Sequence, residues 1–415
     1  MKTMKGLYLL ITAAFISACE IVDNITGIQS DTTDLYVGLD QVAEILSLLP
    51  LQHEHLQEVY NAVTASSCNG YDEEYTMKNL FESPGTGVGD SGKYSKTASS
   101  RPLRTLIEEH IRQRSVTKSD NIDPDVFLNA LSSSDLQIYW PYSEEWDGET
   151  LPIITFDPED GAEKNIGYRL VSCDDGSHRV DMVVVDEEMA ESVPVWVVNR
   201  NSDAGYTSLE MLRKEDPDWG EGGGTVIIRP VAAHAVQLHQ SKQPYKSLVL
   251  KDFTMNRNYD TWFAGASEFV KVGYIDDFTA VTEAELKLFN PLVTDFMVVV
   301  KRKQVGIPQQ LNVLMMSDWS SQMTSCAFMI TEDDGGTQTE WTCKAKVYVA
   351  SKSYGIEINL PIKTRDDIVW RGELANHWIE DNESRTWAFG DVDLTFELFE
   401  SQASLTDISH AVQSK

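Results

Sequence analysis

Positive charge is scarce in this chain: 34 Lys and Arg stand against 65 Asp and Glu in 415 residues, a formal net charge of −31 at pH 7. Such a field repels phosphate backbones and anionic headgroups, so nucleic acid is not an expected partner. Cysteine is scarce as well, five in all, too few for a disulfide-stapled miniprotein. After the first twenty residues no segment is long and apolar enough to span a bilayer of about 30 Å. No motif recurs at a fixed period, which disfavours solenoids and propellers. What remains, 42% hydrophobic and 24% charged, is the composition of a folded soluble chain. At about 150 residues per domain, the length accommodates two to three domains, each with its own core.

Familiar catalytic signatures are missing too. There is no His-Glu-x-x-His, and His53-Glu54-His55 would set its two imidazoles about 200° apart on a helix, where they cannot share a metal. No Gly-x-Ser-x-Gly elbow occurs; the nearest approaches, Gly265-Ala266-Ser267 and Asp175-Gly176-Ser177-His178, lack the second glycine, and the latter reads as an ordinary turn. The glycines at 85, 87 and 89 follow no strand and precede no Gly-Lys-Ser/Thr, so they do not form a phosphate loop. His234 and His239 are five apart and are the histidines from which a hydrolase site assembled in the fold would draw. No catalytic residue is assigned.

The amino terminus does carry a message. Lys2 and Lys5 precede a short apolar run from Gly6 to Phe15, which ends in Ile16-Ser17-Ala18-Cys19. A charged start, a short apolar stretch and small residues make an export signal, too short to stay as a spanning helix. These four residues resemble the lipobox of bacterial lipoprotein precursors, and the body is similar to envelope lipoproteins in general style. The resemblance implies that Cys19 is acylated and becomes the mature amino terminus, so that the membrane is a partner through lipid. Glu20 stands where inner-membrane lipoproteins of enteric bacteria resemble one another in carrying Asp, which favours the outer membrane, with the body facing periplasm or exterior. Cleavage there would remove two lysines and no acidic residue.

Beyond the signal (1–18) and a polar tether (19–34), hydrophobic period changes along the chain. Leu39, Val42, Ala43, Leu46 and Leu49, then Leu56, Val59, Tyr60 and Val63, recur at helical steps. Leu103 to Ile111 and the segment after Asp123-Pro124 continue this helical region, 35–132. From Leu136 the period drops to two, and acidic Gly-containing turns divide a strand-rich α+β region, 133–243. Residues 244–400 read as an antiparallel β-sandwich, with Val392, Leu394, Phe396 and Leu398 alternating against polar residues and Thr282-x-x-Glu285 opening one helix. Residues 401–415 form a frayed tail. The fold class expected is therefore α+β.

Four cysteines lie beyond Cys19: Cys68, Cys173, Cys326 and Cys343. A hairpin turning at Asp334-Gly335 would set Cys326 opposite Cys343 and Phe328 opposite Trp341, making Cys326 and Cys343 the disulfide candidate. No cofactor is expected, with calcium the least implausible ion because it takes clustered carboxylates and turn carbonyls. Asp333, Asp334, Asp366, Asp367 and Asp391 are the candidates at one sandwich edge, a placement that resembles the loops of C2-type sandwiches. Among ten tryptophans, Trp146, Trp219 and Trp387 sit in loop-like surroundings and are the candidates for a ligand platform. A lipid-anchored, non-catalytic binding or structural module follows, with a glycan or a protein as ligand.

Overall fold

In the computed structural model the described residues are 36–82, 101–117, 123–173, 178–201, 207–215, 245–265, 268–274, 282–286, 291–319, 322–332 and 336–401. The lipobox, the tether, the glycine loop, His234, His239, Trp219, Asp333, Asp334 and the tail after 401 lie outside them. Tyr36–Lys415 cluster as one compact unit. The fold is α+β, and no described helix is long and apolar enough to cross a membrane.

The helices form where sequence period and capping agree. α1 (Leu39–Ser47) and α2 (His53–Cys68) bury the apolar stripes at three- and four-residue spacing. After the turn into β1 (Glu74–Thr76), Thr76 caps α3 (Met77–Phe81), its side chain accepting from the Asn79 N–H. α4 (Leu103–Thr117) follows, and α5 (Pro124–Ser132) starts with proline at its first turn and with the Asp123 carboxylate accepting from the Asp125 N–H.

The first sheet takes the strands β2 (Leu136–Tyr139), β3 (Ile153–Phe156), β4 (Asn165–Ser172), β5 (His178–Val185) and β6 (Val195–Arg200). Its order is β1-β2-β6-β3-β4-β5. Neighbours run antiparallel except β3 and β6, where Ile153 to Phe156 lie parallel to Val195 to Val198. The short helix α6 (Glu187–Ala190) separates β5 from β6, and α7 (Leu209–Glu215) follows β6. Helix α1 lies over β3, β6 and β4, so the helical segment packs on the sheet formed by the strands after it.

The rest of the chain builds a sandwich. One sheet orders β10 (Gln309–Trp319), β7 (Tyr245–Met255), β16 (Val392–Ser401) and β15 (Thr386–Phe389). The other orders β13 (Lys352–Lys363), β12 (Gln338–Val349), β11 (Met323–Glu332), β8 (Glu268–Tyr274) and β9 (Leu292–Val298), with β14 (Asp367–Ala375) also on β11. α8 (Glu283–Leu286) and α9 (Asn376–Asp381) are short connections. The expected alternation in β16 holds: Val392, Leu394 and Phe396 meet Phe253, Met315, Phe328 and Val347 in one core between the sheets. Each fully buried side chain of this size contributes about 1.5–3 kcal/mol.

One expected pairing differs. The hairpin of β11 and β12 is joined at its end far from the turn, where Met323 faces Val347 and Ser325 faces Lys346. From Ala327 to Glu332 that side of β11 is taken by β8, with Ala327 opposite Gly273 and Glu332 opposite Glu268. A long-range strand thus displaces the local partner. Cys326 pairs with Leu374 and Cys343 with Ile358, and both thiols are free. Phe328 enters the sandwich core, while Trp341 packs on the other face of the same sheet beneath Arg371, whose guanidinium carbon lies 5.4 Å from its ring centroid.

Candidate functional site

Three consecutive carboxylates, Asp72, Glu73 and Glu74, are buried, although charged side chains are rarely buried without partners. Helix α2 ends at Asn69, Gly70 turns the chain with φ +77°, and the Tyr71 N–H returns to the Ser66 carbonyl. That turn drives residues 72–74 inward to meet β2, where the Trp140 N–H donates to the Glu73 carbonyl at 2.9 Å. Glu74 Oε2 accepts from Asn201 Nδ2 at 2.9 Å, and the same amide donates to Gln137 Oε1. Asp72 Oδ1 accepts from the Glu73 N–H at 2.8 Å. Its other oxygen lies against Gly265, where a β-carbon would stand 2.5 Å from it.

The sandwich supplies the countercharges. Directly after β9, Lys301, Arg302 and Lys303 form the one run of three consecutive basic residues in the sequence. Lys301 Nζ donates to Glu73 Oε1 at 2.8 Å and to Ser67 Oγ. Arg302 Nη1 reaches Glu187 Oε1 at 3.1 Å and its Nη2 donates to the Asp260 carbonyl at 2.9 Å. Lys303 Nζ bridges Glu144 and Glu145 at 2.7 and 2.8 Å and sits 5.3 Å from the Tyr142 ring centroid. Tyr142, held at φ 58°, donates its hydroxyl to Glu187 at 2.8 Å. Beside this clasp Trp262 and Phe263, from the connection after β7, are buried with Tyr139, Ile153, Val185, Val195 and Val197 of the first sheet.

Burial sets the electrostatics of this region. It pushes the Asp72 carboxyl well above the usual range, and the adjacent Glu73 charge adds to the effect. It also raises the Tyr139 phenol, with the charges of Asp72 and Glu73 acting in the same direction. On α2, burial raises Glu58, whose Oε2 accepts from the Leu103 N–H at 2.8 Å. Chemically, the arrangement directs three cations at carboxylates on other elements.

The other sequence candidates are scattered. Asp366 accepts from the Lys363 N–H at 2.8 Å, and Asp367 pairs with Glu332 in the β11–β14 ladder. Asp391 accepts from the Tyr259 hydroxyl at 3.0 Å, with Arg257 at 3.7 Å. Among the described residues no three His, Cys, Asp or Glu side chains gather as a metal shell would. Cys326 is fully buried, which lifts its thiol to about 12, and the half-buried Cys343 is lifted to about 11. Trp146 is a loop anchor: it packs on Trp140, Tyr60 and His53, and its indole N–H donates to the Thr150 carbonyl at 3.0 Å. Trp387 is exposed on the edge strand β15 and meets Trp378 of α9 at 5.6 Å between ring centroids, tilted by 62° and so not coplanar with it.

Sequence reasoning misses the clasp. Its one legible trace is a basic tripeptide in a chain short of positive charge; the buried acids 72–74 look like an ordinary solvated turn. No family model matches the chain, and neither the curated proteins nor the solved structures yield a significant match.

Proposed function

We propose that the chain is a lipid-anchored cell-envelope protein of the outer membrane whose body acts as a non-catalytic binding or structural module. The anchor reading rests on Ile16-Ser17-Ala18-Cys19 behind Lys2, Lys5 and a short apolar run. Each buried acyl methylene contributes about 0.8 kcal/mol, so two or more chains on one cysteine hold a water-soluble body at a bilayer.

The observation that carries the reading of the body is the clasp: Lys301 and Arg302 meet Glu73 and Glu187, the acids of the first layer. These partly buried ion pairs tie residues after β9 to the first sheet and its connections, which supports a rigid body made for display or scaffolding. A glycan or a protein is the class of ligand such a body would hold outside the membrane.

Membrane fractionation tests the reading, using the full chain with its own leader and the Cys19→Ala variant. The wild type is expected in the membrane fraction, released by detergent, and the variant in the soluble fraction. Equal distribution of the two would refute the anchor.

A further inference from the structure

Strand β5 is the outer strand of the first sheet: among the described residues it pairs with β4 alone, and its other edge carries no strand. The face that Met182 and Val184 share is open as well, at 68% and 61% exposure, and Ile166, directly opposite Val184 on β4, is 44% exposed. Val183 and Val185 turn to the other face, where Val185 is buried with Trp262 and Phe263. We propose that β5 is the seam of a symmetric dimer, pairing antiparallel with β5 of a second copy so that Met182 meets its own counterpart on the two-fold axis and Val184 faces the partner's Val180.

Edge and face point to the same occupant. An unpaired edge offers a row of N–H and C=O groups to an extended strand, and native proteins blunt it with prolines, lysines or bulges. β5 carries no proline or lysine, and its ladder with β4 runs without a bulge from Val185 opposite Asn165 to His178 opposite Ser172. A second copy of β5 satisfies that edge. Centred on Met182, the two strands overlap along their whole length, and Val180, Met182 and Val184 of both copies line one continuous apolar face.

Charge favours a copy of this chain at this place. A net charge of −31 repels copies in general, so self-association needs a margin whose charges balance locally. Here they do: Arg179 pairs with Asp181 at 2.9 Å and Lys164 with Asp186 at 2.8 Å. β5 is also polarised, with Arg179 near its start and Asp186, Glu187 and Glu188 directly after its end. An antiparallel copy lays each arginine beside the acidic end of the partner, while Asp181, held by its own Arg179, falls opposite the partner's Val183. One strand edge makes a small interface, so the dimer is reversible and depends on concentration.

Thiol cross-linking of the full chain tests the seam, with the exposed Cys68 and Cys173 replaced by serine. Opposed residues of an antiparallel pair have Cα atoms about 5 Å apart, within disulfide reach, so Met182→Cys is expected to link two chains on oxidation. Val180→Cys is not, because its counterpart lies about 13 Å further along the strand. No link at 182, or equal links at 180 and 182, would overturn the proposal. Sedimentation of the full chain over a range of concentrations gives a second reading. Val184→Lys is expected to weaken association about tenfold or more with thermal unfolding unchanged, since the side chain is exposed, whereas Val126→Lys, at an exposed valine on α5, leaves association as it was. A chain that is monomeric at every concentration, its edge left for a segment of a different protein, would overturn the dimer.

Discussion

The indole N–H of Trp262 donates to the carbonyl oxygen of Glu163 at 3.1 Å, a bond between residues 99 positions apart. Trp262 and Phe263, with ring centroids 4.0 Å apart, are both fully buried among first-sheet residues, although they lie on the connection after β7. Trp262→Ala is therefore expected to cost about 3–5 kcal/mol in urea unfolding, as large-to-small substitutions at packed aromatics do. Trp262→Phe, which keeps most of the packing and loses the hydrogen bond, should cost about 1–2 kcal/mol.

The three clasp cations differ in exposure, and their variants should differ in the same order. Arg302 has a side chain only 12% exposed and Lys301 faces a nearly buried Glu73, whereas Lys303 and its partners are about half exposed. Arg302→Ala and Lys301→Ala are each expected to lose about 3 kcal/mol, because each leaves a carboxylate without its cation. Lys303→Ala should lose less than about 1 kcal/mol. Chemical denaturation of the three variants checks the order, and equal losses would mean that burial does not govern the clasp.

Gly265 adopts φ +103°, and a β-carbon there would meet the Asp72 carboxylate. Gly265→Ala combines backbone strain with that clash, so a loss of about 2–3 kcal/mol is expected. In Gly265→Ala/Asp72→Ala the clash is relieved, and the cost of the glycine substitution should shrink. Thermal unfolding of the single and double variants measures the coupling.

His55 is neutral in the fold. The Gln52 N–H donates to Nδ1 at 3.0 Å, which leaves the ring proton on Nε2, 2.9 Å from the Arg101 carbonyl it donates to. Burial lowers its pKa from 6.5, so its contribution is present above about pH 6.5 and is lost as pH falls through the lowered native value. His55 therefore contributes a fall in unfolding free energy between about pH 7.5 and 5, and the difference between wild type and His55→Gln over that range should show this component.

Local signals are legible where the structure is local. Asp123-Pro124 and Thr282-x-x-Glu285 both open helices, the latter with reciprocal hydrogen bonds between Thr282 and Glu285. The alternation at Val392, Leu394 and Phe396 marks a core strand. The Cys326–Cys343 hairpin reads differently because nothing in residues 326–343 reveals that β8, more than fifty positions upstream, takes that side of β11. Short elements such as β1, α3 and β15 carry too few residues for a period to show. The clasp is invisible for a related reason: Glu73 and Lys301 are 228 positions apart, and neither has a neighbourhood that announces burial.

Of all these expectations, the lipid on Cys19 governs where the body works and what it can meet. Intact mass and tandem mass spectrometry of the mature amino terminus, purified from membranes of cells expressing the whole chain, tests it directly. The account predicts a chain that begins at Cys19 and carries the added mass of acyl groups on that residue. A mature chain that retains residues before Cys19, or begins at Cys19 without added mass, would contradict it.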